Sequence, residues 1–108
     1  MPYVFITSKF PPSQTNELAK RYIKEIPNFR SAVRGLTKEI IPNAVKPTTE
    51  GIEVTGVHDI KEGKLEEFLI HQLKSMTAYQ EVEGFSYSIE VRYKVTEALE
   101  VLGMKPPE

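Results

Sequence analysis

The apolar positions of the chain recur with two different periods, and the switches between them divide it into elements. Residues 3–8 set Val4 and Ile6 against Tyr3, Phe5 and Thr7, a period of two that Pro11-Pro12 stops, and this predicts a first strand. Ser13 then offers a helix cap, and Leu18, Ala19, Tyr22, Ile23 and Ile26 share one helical face up to Pro27, predicting a first helix over 14–26. Lys20, Arg21 and Lys24 make its other face a solvated stripe. Residues 28–38 keep neither period and read as a long loop with one helical turn. Over 39–48, Ile40, Ile41, Ala44 and Val45 suggest a second strand, and Pro42 and Pro47 remove two ladder donors and place it at a sheet edge.

Glu50-Gly51 marks a hairpin turn, and alternation resumes with Ile52 and Val54 up to about Ile60, an antiparallel third strand. After Lys61-Glu62-Gly63, one helical stripe gathers Leu65, Phe68, Leu69, Gln72, Leu73, Met76 and Tyr79, so the second helix is expected over 64–80. Glu83-Gly84 ends it, and residues 85–93 alternate strictly, with Phe85, Tyr87, Ile89, Val91 and Tyr93 on one side, as a fourth strand. A short last helix begins near Thr96 and is stopped by Gly103 and Pro106-Pro107. At that length it is too short to stand alone, so it is expected to dock through Val95, Leu99 and Leu102. The order is β-α-β-β-α-β plus a terminal helix, an α+β, ferredoxin-like arrangement with both helices on one face of a four-stranded antiparallel sheet.

Composition narrows the chemistry. With 108 residues, 40% apolar and 27% charged, the chain suits a single domain with one core. The absence of Cys removes disulfides, thiolate-bound metals and thiol nucleophiles, and one Asp against fourteen Glu does not write a calcium loop. The net charge of −1 gives no field to collect nucleic acid or anionic membrane, although residues 1–54 carry +3 and residues 55–108 carry −4. No apolar run reaches the length of a membrane span and no signal peptide opens the chain, so a cytoplasmic protein without nucleic-acid or membrane partners is expected.

Candidate chemistry sits on the sheet. The helix side should take Val4, Ile6, Ile52, Val54, Phe85, Tyr87, Ile89 and Val91, leaving Tyr3, Phe5, Thr7, Glu53, Thr55, Val57, Ser86, Ser88, Glu90 and Arg92 opposite. That second face is too apolar for a solvated surface and too polar for a core, which fits an interface or a lined cavity. Glu90 and Arg92 point the same way, as a salt bridge or as a carboxylate and guanidinium offered to one ligand, and Glu53 on the same face would make an acid–base pair with Glu90. His58, beside Asp59 near a strand end, is an acid–base candidate or a hydrogen-bonded rim residue. Strand alternation turns it towards the side of Ile52 and Val54, whereas a bulge at Gly56 would reverse it. Tyr3, Phe5, Tyr87 and Tyr93 supply aromatic walls. No Gly-rich phosphate loop, zinc-protease motif or nucleophile elbow occurs.

The first strand at residues 3–8, the long second helix at 64–80, the fourth strand at 85–93 and the proline-bearing second strand together resemble the dimeric α/β-barrel superfamily. That group includes antibiotic-biosynthesis monooxygenase-like, muconolactone-isomerase-like, haem-degrading and stress-responsive barrel proteins. The resemblance lies in element order across nearly the whole chain and implies a homodimer whose sheets close face to face, with one small-ligand site per subunit. It implies no particular reaction. His71, on the second helix, is where haem-degrading members would place their axial ligand, but the chain lacks the Trp those enzymes set beside the haem and a partner Asn in the first strand. No cofactor and no metal is therefore expected. The ligand-site residues expected from this reading are Tyr3, Phe5, Glu53, His58, Glu90 and Arg92, serving a small organic molecule in an isomerase- or monooxygenase-like enzyme or, alternatively, only a dimeric interaction module. An RNA-recognition module shares the element order, but residues 51–57 carry no aromatic and place Glu53 in the face where bases would stack.

Overall fold

The computed structural model describes residues 1–105. Four strands, β1 (Tyr3–Phe10), β2 (Thr37–Thr48), β3 (Gly51–Ile60) and β4 (Ser86–Arg92), form one antiparallel sheet in the order β2-β3-β1-β4. Among the described residues three helices accompany it, α1 (Thr15–Ala32), α2 (Leu65–Met76) and α3 (Val95–Val101), with a short 3-10 helix at Pro12–Gln14. This is an α+β fold with an open sheet whose element order and strand order are those of a ferredoxin-like arrangement.

The pleat sorts side chains as the alternation requires. Glu39, His58, Val4 and Val91 stand in one row across the helix-covered face, and Lys38, Asp59, Tyr3 and Arg92 in the next row on the open face. Val4, Ile60 and Phe68 are fully buried between sheet and helices, joined by Ile6, Phe10, Leu18, Phe29, Val33 and Leu36.

Three sequence expectations need correction. The first helix does not stop at Pro27: α1 continues to Ala32, so residues 28–38 are mostly helix and strand rather than loop. The apolar register Leu18, Tyr22, Ile26, Phe29, Val33 passes through the proline without a break. A proline in a helix interior costs about 3 kcal/mol, and burying Phe29 and Val33 returns roughly 1.5–3 kcal/mol each. The second helix ends at Met76, not near residue 80. Beyond it Tyr79, Val82 and Phe85 each donate their backbone N–H to the carbonyl three residues back, at 3.0, 3.0 and 3.1 Å, so the apolar repeat tightens from 3.6 to 3. The last helix does not dock through a buried face: α3 contains no buried residue, and Val95, Val101 and Leu102 stay exposed. It is held instead at its start, where Lys94 Nζ lies 2.8 and 2.9 Å from the two carboxylate oxygens of Asp59. The expected stop at Pro106-Pro107 lies outside the described residues.

The edge position of β2 is as expected, and its prolines are accommodated by irregularity. Its register against β3 shifts between Glu39 and Ile41 and again between Ile41 and Ala44, so two extra residues are absorbed around Pro42. Among the described residues no helix is long and apolar enough to cross a membrane.

Candidate functional site

The bulge belongs to β2, so β3 keeps its phase and His58 turns towards the helices. There it lines a cavity of about 410 Å³ between sheet, α1 and α2, within the roughly 300–1,000 Å³ usual for small-molecule sites. Phe10, Tyr22, Phe29, Tyr79 and Phe85 give the cavity aromatic walls. The elements create it by what they lack: Gly56 and Ser8 put no bulk on the central strands beneath it, and Ala19 none on α1 above it.

His58 is 5% exposed, its ring edge-on to Phe29 at 6.0 Å between centroids and tilted against Phe68 at 4.9 Å. Its Nδ1 is sealed from solvent and has no hydrogen-bond partner. Burial pushes the imidazole below its ordinary range; Glu39, its neighbour across the β2–β3 pair, opposes this and Arg30 reinforces it. Glu39 and Arg30 form an ion pair at 3.4 Å that borders a smaller outer cleft shared with Arg34 and Thr37, on whose wall His58 also stands.

Further polar groups reach the cavity from the helices. Gln72 and Ser75 on α2 are buried, and the amide nitrogen of Gln72 has found only the sulfur of Met76 at 3.3 Å. Tyr79 closes another part of the wall, its phenol pushed up to about 12 by burial and by the nearby Glu25 and Tyr22. On the β2 side, Asn43 Nδ2 donates to the Tyr22 hydroxyl at 3.0 Å, bridging the bulge to α1. The bulge can fold inwards there because Gly56 lies beneath it: a Cβ on Gly56 would come within 3.0 Å of Asn43 Oδ1 and 3.4 Å of the Pro42 carbonyl.

The remaining expected site residues lie on the opposite, open face, with Tyr3, Phe5, Glu53, Glu90 and Arg92 all outside the cavity lining. They are largely matched among themselves. The Arg92 guanidinium sits 4.2 Å above the Phe5 ring and 3.3 Å from Glu90, and Lys94 lies 5.2 Å from the Tyr3 ring centroid. Glu53 stands level with Lys9 and Glu90 level with Phe5. Four residues of strand rise and two strand spacings therefore separate the carboxylates by roughly 17 Å, and they form no acid–base pair. Tyr87 lies tilted against Phe85 on the helix side, 6.0 Å between centroids, Tyr93 is exposed, and His71 is half-buried on α2 away from the cavity.

Of the residues that line the cavity, Gln72 was legible as a polar side chain within an apolar helical stripe. Ser75, one turn from its buried neighbours, carried a weaker form of that signal. Asn43 carried none, since its position depends on a bulge that sequence alternation does not reveal.

No protein-family model and no curated protein matches the chain. Among solved structures it is similar to a de novo designed protein, Foldit4, with a TM-score of 0.51 at 10% sequence identity, covering 86% of this chain and 97% of that one. That likeness concerns the fold alone.

Proposed function

We propose that this chain binds a small, largely apolar organic molecule between its sheet and its helices. The observation that carries the reading is the cavity of about 410 Å³ with His58 in its largely apolar wall, an imidazole only 5% exposed. Nδ1 itself is out of a ligand's reach, so the ring meets a bound molecule only through Nε2, which in the uncharged imidazole donates or accepts one hydrogen bond. Isomerase-like or monooxygenase-like chemistry, if the bound molecule reacts, falls to the same imidazole as proton acceptor. The reading is of a cytoplasmic protein meeting a dissolved ligand, with neither nucleic acid nor membrane as partner.

N-phenyl-1-naphthylamine, an uncharged probe that brightens in apolar surroundings, tests this reading. Saturable fluorescence together with a rise in melting temperature is expected, since a probe at about 100 times its Kd stabilises the fold by roughly 2.7 kcal/mol. A flat titration and an unmoved melting temperature would sink it.

The same proposal makes the chain a homodimer through its open face, closing two sheets into a barrel as the resemblance to dimeric α/β-barrel proteins implies. Support comes from Phe5, Val57 and Ile41, which share one apolar row of that face. Sedimentation equilibrium should return twice the chain mass, and a monomer at tens of micromolar would count against it.

A further inference from the structure

The polar lining of the cavity has a definite chemistry. Among the described residues no lysine or arginine contributes to its wall, and the carboxylate that does, Glu39, is already held by Arg30. An anion entering the cavity would lose its water against apolar side chains and an acid, with no cation to replace that water. The groups that remain are neutral. Burial keeps the His58 imidazole uncharged near pH 7, and with Nδ1 sealed its Nε2 is left to donate or accept one hydrogen bond. Gln72 is 6% exposed, and a thioether is a poor acceptor for its amide. It follows Phe68 by one turn on the same face of α2, the Phe68 ring lies against His58, and both His58 and Gln72 line the cavity.

Resting on the ligand reading above, we propose that the cavity selects uncharged ring compounds bearing a hydroxyl, such as phenols and hydroxylated polycycles, and that His58 and Gln72 are the residues that read the hydroxyl. A hydroxyl donates and accepts at once, so it can serve the imidazole and the carboxamide together. A ketone offers acceptors alone, and a carboxylate adds a charge the site has no means to hold. Phe10, Phe29 and Phe85 provide flat apolar surface for the ring system.

Dissociation constants for naphthalene, 2-naphthol and 2-naphthoate test this. The wild-type chain should bind 2-naphthol roughly three- to tenfold more tightly than naphthalene, the value of one net hydrogen bond, and 2-naphthoate more weakly than either. In His58→Phe and in Gln72→Met the preference for 2-naphthol should fall towards unity while naphthalene still binds. Gln72→Met keeps the side-chain length and the helix propensity, so it reports even if His58→Phe fails to fold. Equal affinity for naphthalene and 2-naphthol, or a preference that survives both variants, overturns the assignment of the readers and leaves the cavity as a ligand site. Tightest binding of 2-naphthoate overturns the exclusion of anions. Binding of none of the three overturns the ligand reading and this proposal with it.

Discussion

Gly56 and His58, two positions apart on β3, face the same cavity and show how single residues shape it. Gly56 is where β2 folds inwards, and the contact is close enough that a methyl group forces Asn43 to move. Gly56→Ala should therefore displace the Asn43 side chain by a few tenths of an ångström, weaken its hydrogen bond to Tyr22 and cost up to about 1 kcal/mol of stability. In an Asn43→Ala background the same change should cost less, a coupling that urea denaturation of the four proteins would measure. His58 makes stability depend on pH. Its folded value is depressed, so between the ordinary value of 6.5 and the lower folded one the unfolded chain binds more protons. The contribution is complete above pH 6.5 and is lost as pH falls below it. Comparing urea midpoints at pH 7.5 and 5.5, wild type should lose more stability than His58→Phe; equal losses would show that the imidazole is not held neutral by the fold.

At the level of elements, tertiary burial overrode local signals in two places and agreed with them elsewhere. Pro27 signals a stop because a proline cannot donate to the carbonyl of Ile23, yet α1 continues since Phe29 and Val33 have core to enter. Pro27 itself is exposed. Pro27→Ala should therefore stabilise the protein by about 1 kcal/mol or more, seen as a higher melting temperature, and a lower one would mean that the proline shapes α1 to fit the sheet. The end of α2 was misplaced for a different reason: Met76 and Tyr79 satisfy a period of 3.0 as well as 3.6, and a residue pair cannot distinguish them. The strands were legible because period two has no such neighbour, and the edge assignment of β2 followed from its two missing donors.

For the whole molecule, the open face and α3 raise the question of a second copy. With no buried residue, α3 adds little to the stability of one chain. Ending the chain at Lys94 should leave the urea midpoint of the dilute protein within about 0.5 kcal/mol of wild type. If Val95 and Leu102 lie in the dimer, the same truncation should weaken self-association in sedimentation equilibrium. An unchanged association constant would confine the interface to the sheet.

The sequence by itself determined the order of elements, the sheet face that the residues of β1 and β4 take and the edge position of β2, because periods of 2 and 3.6 and missing N–H donors are properties of the chain alone. It also pointed to His58 and to a mixed open face. Only the tertiary structure decided that α1 runs through its proline, that the bulge lies in β2, and so that His58 faces inwards to a cavity, on the side opposite Glu53, Glu90 and Arg92. A side chain's depth depends on what is packed over it, and a cavity is the space that several distant elements fail to fill. No local period records either quantity.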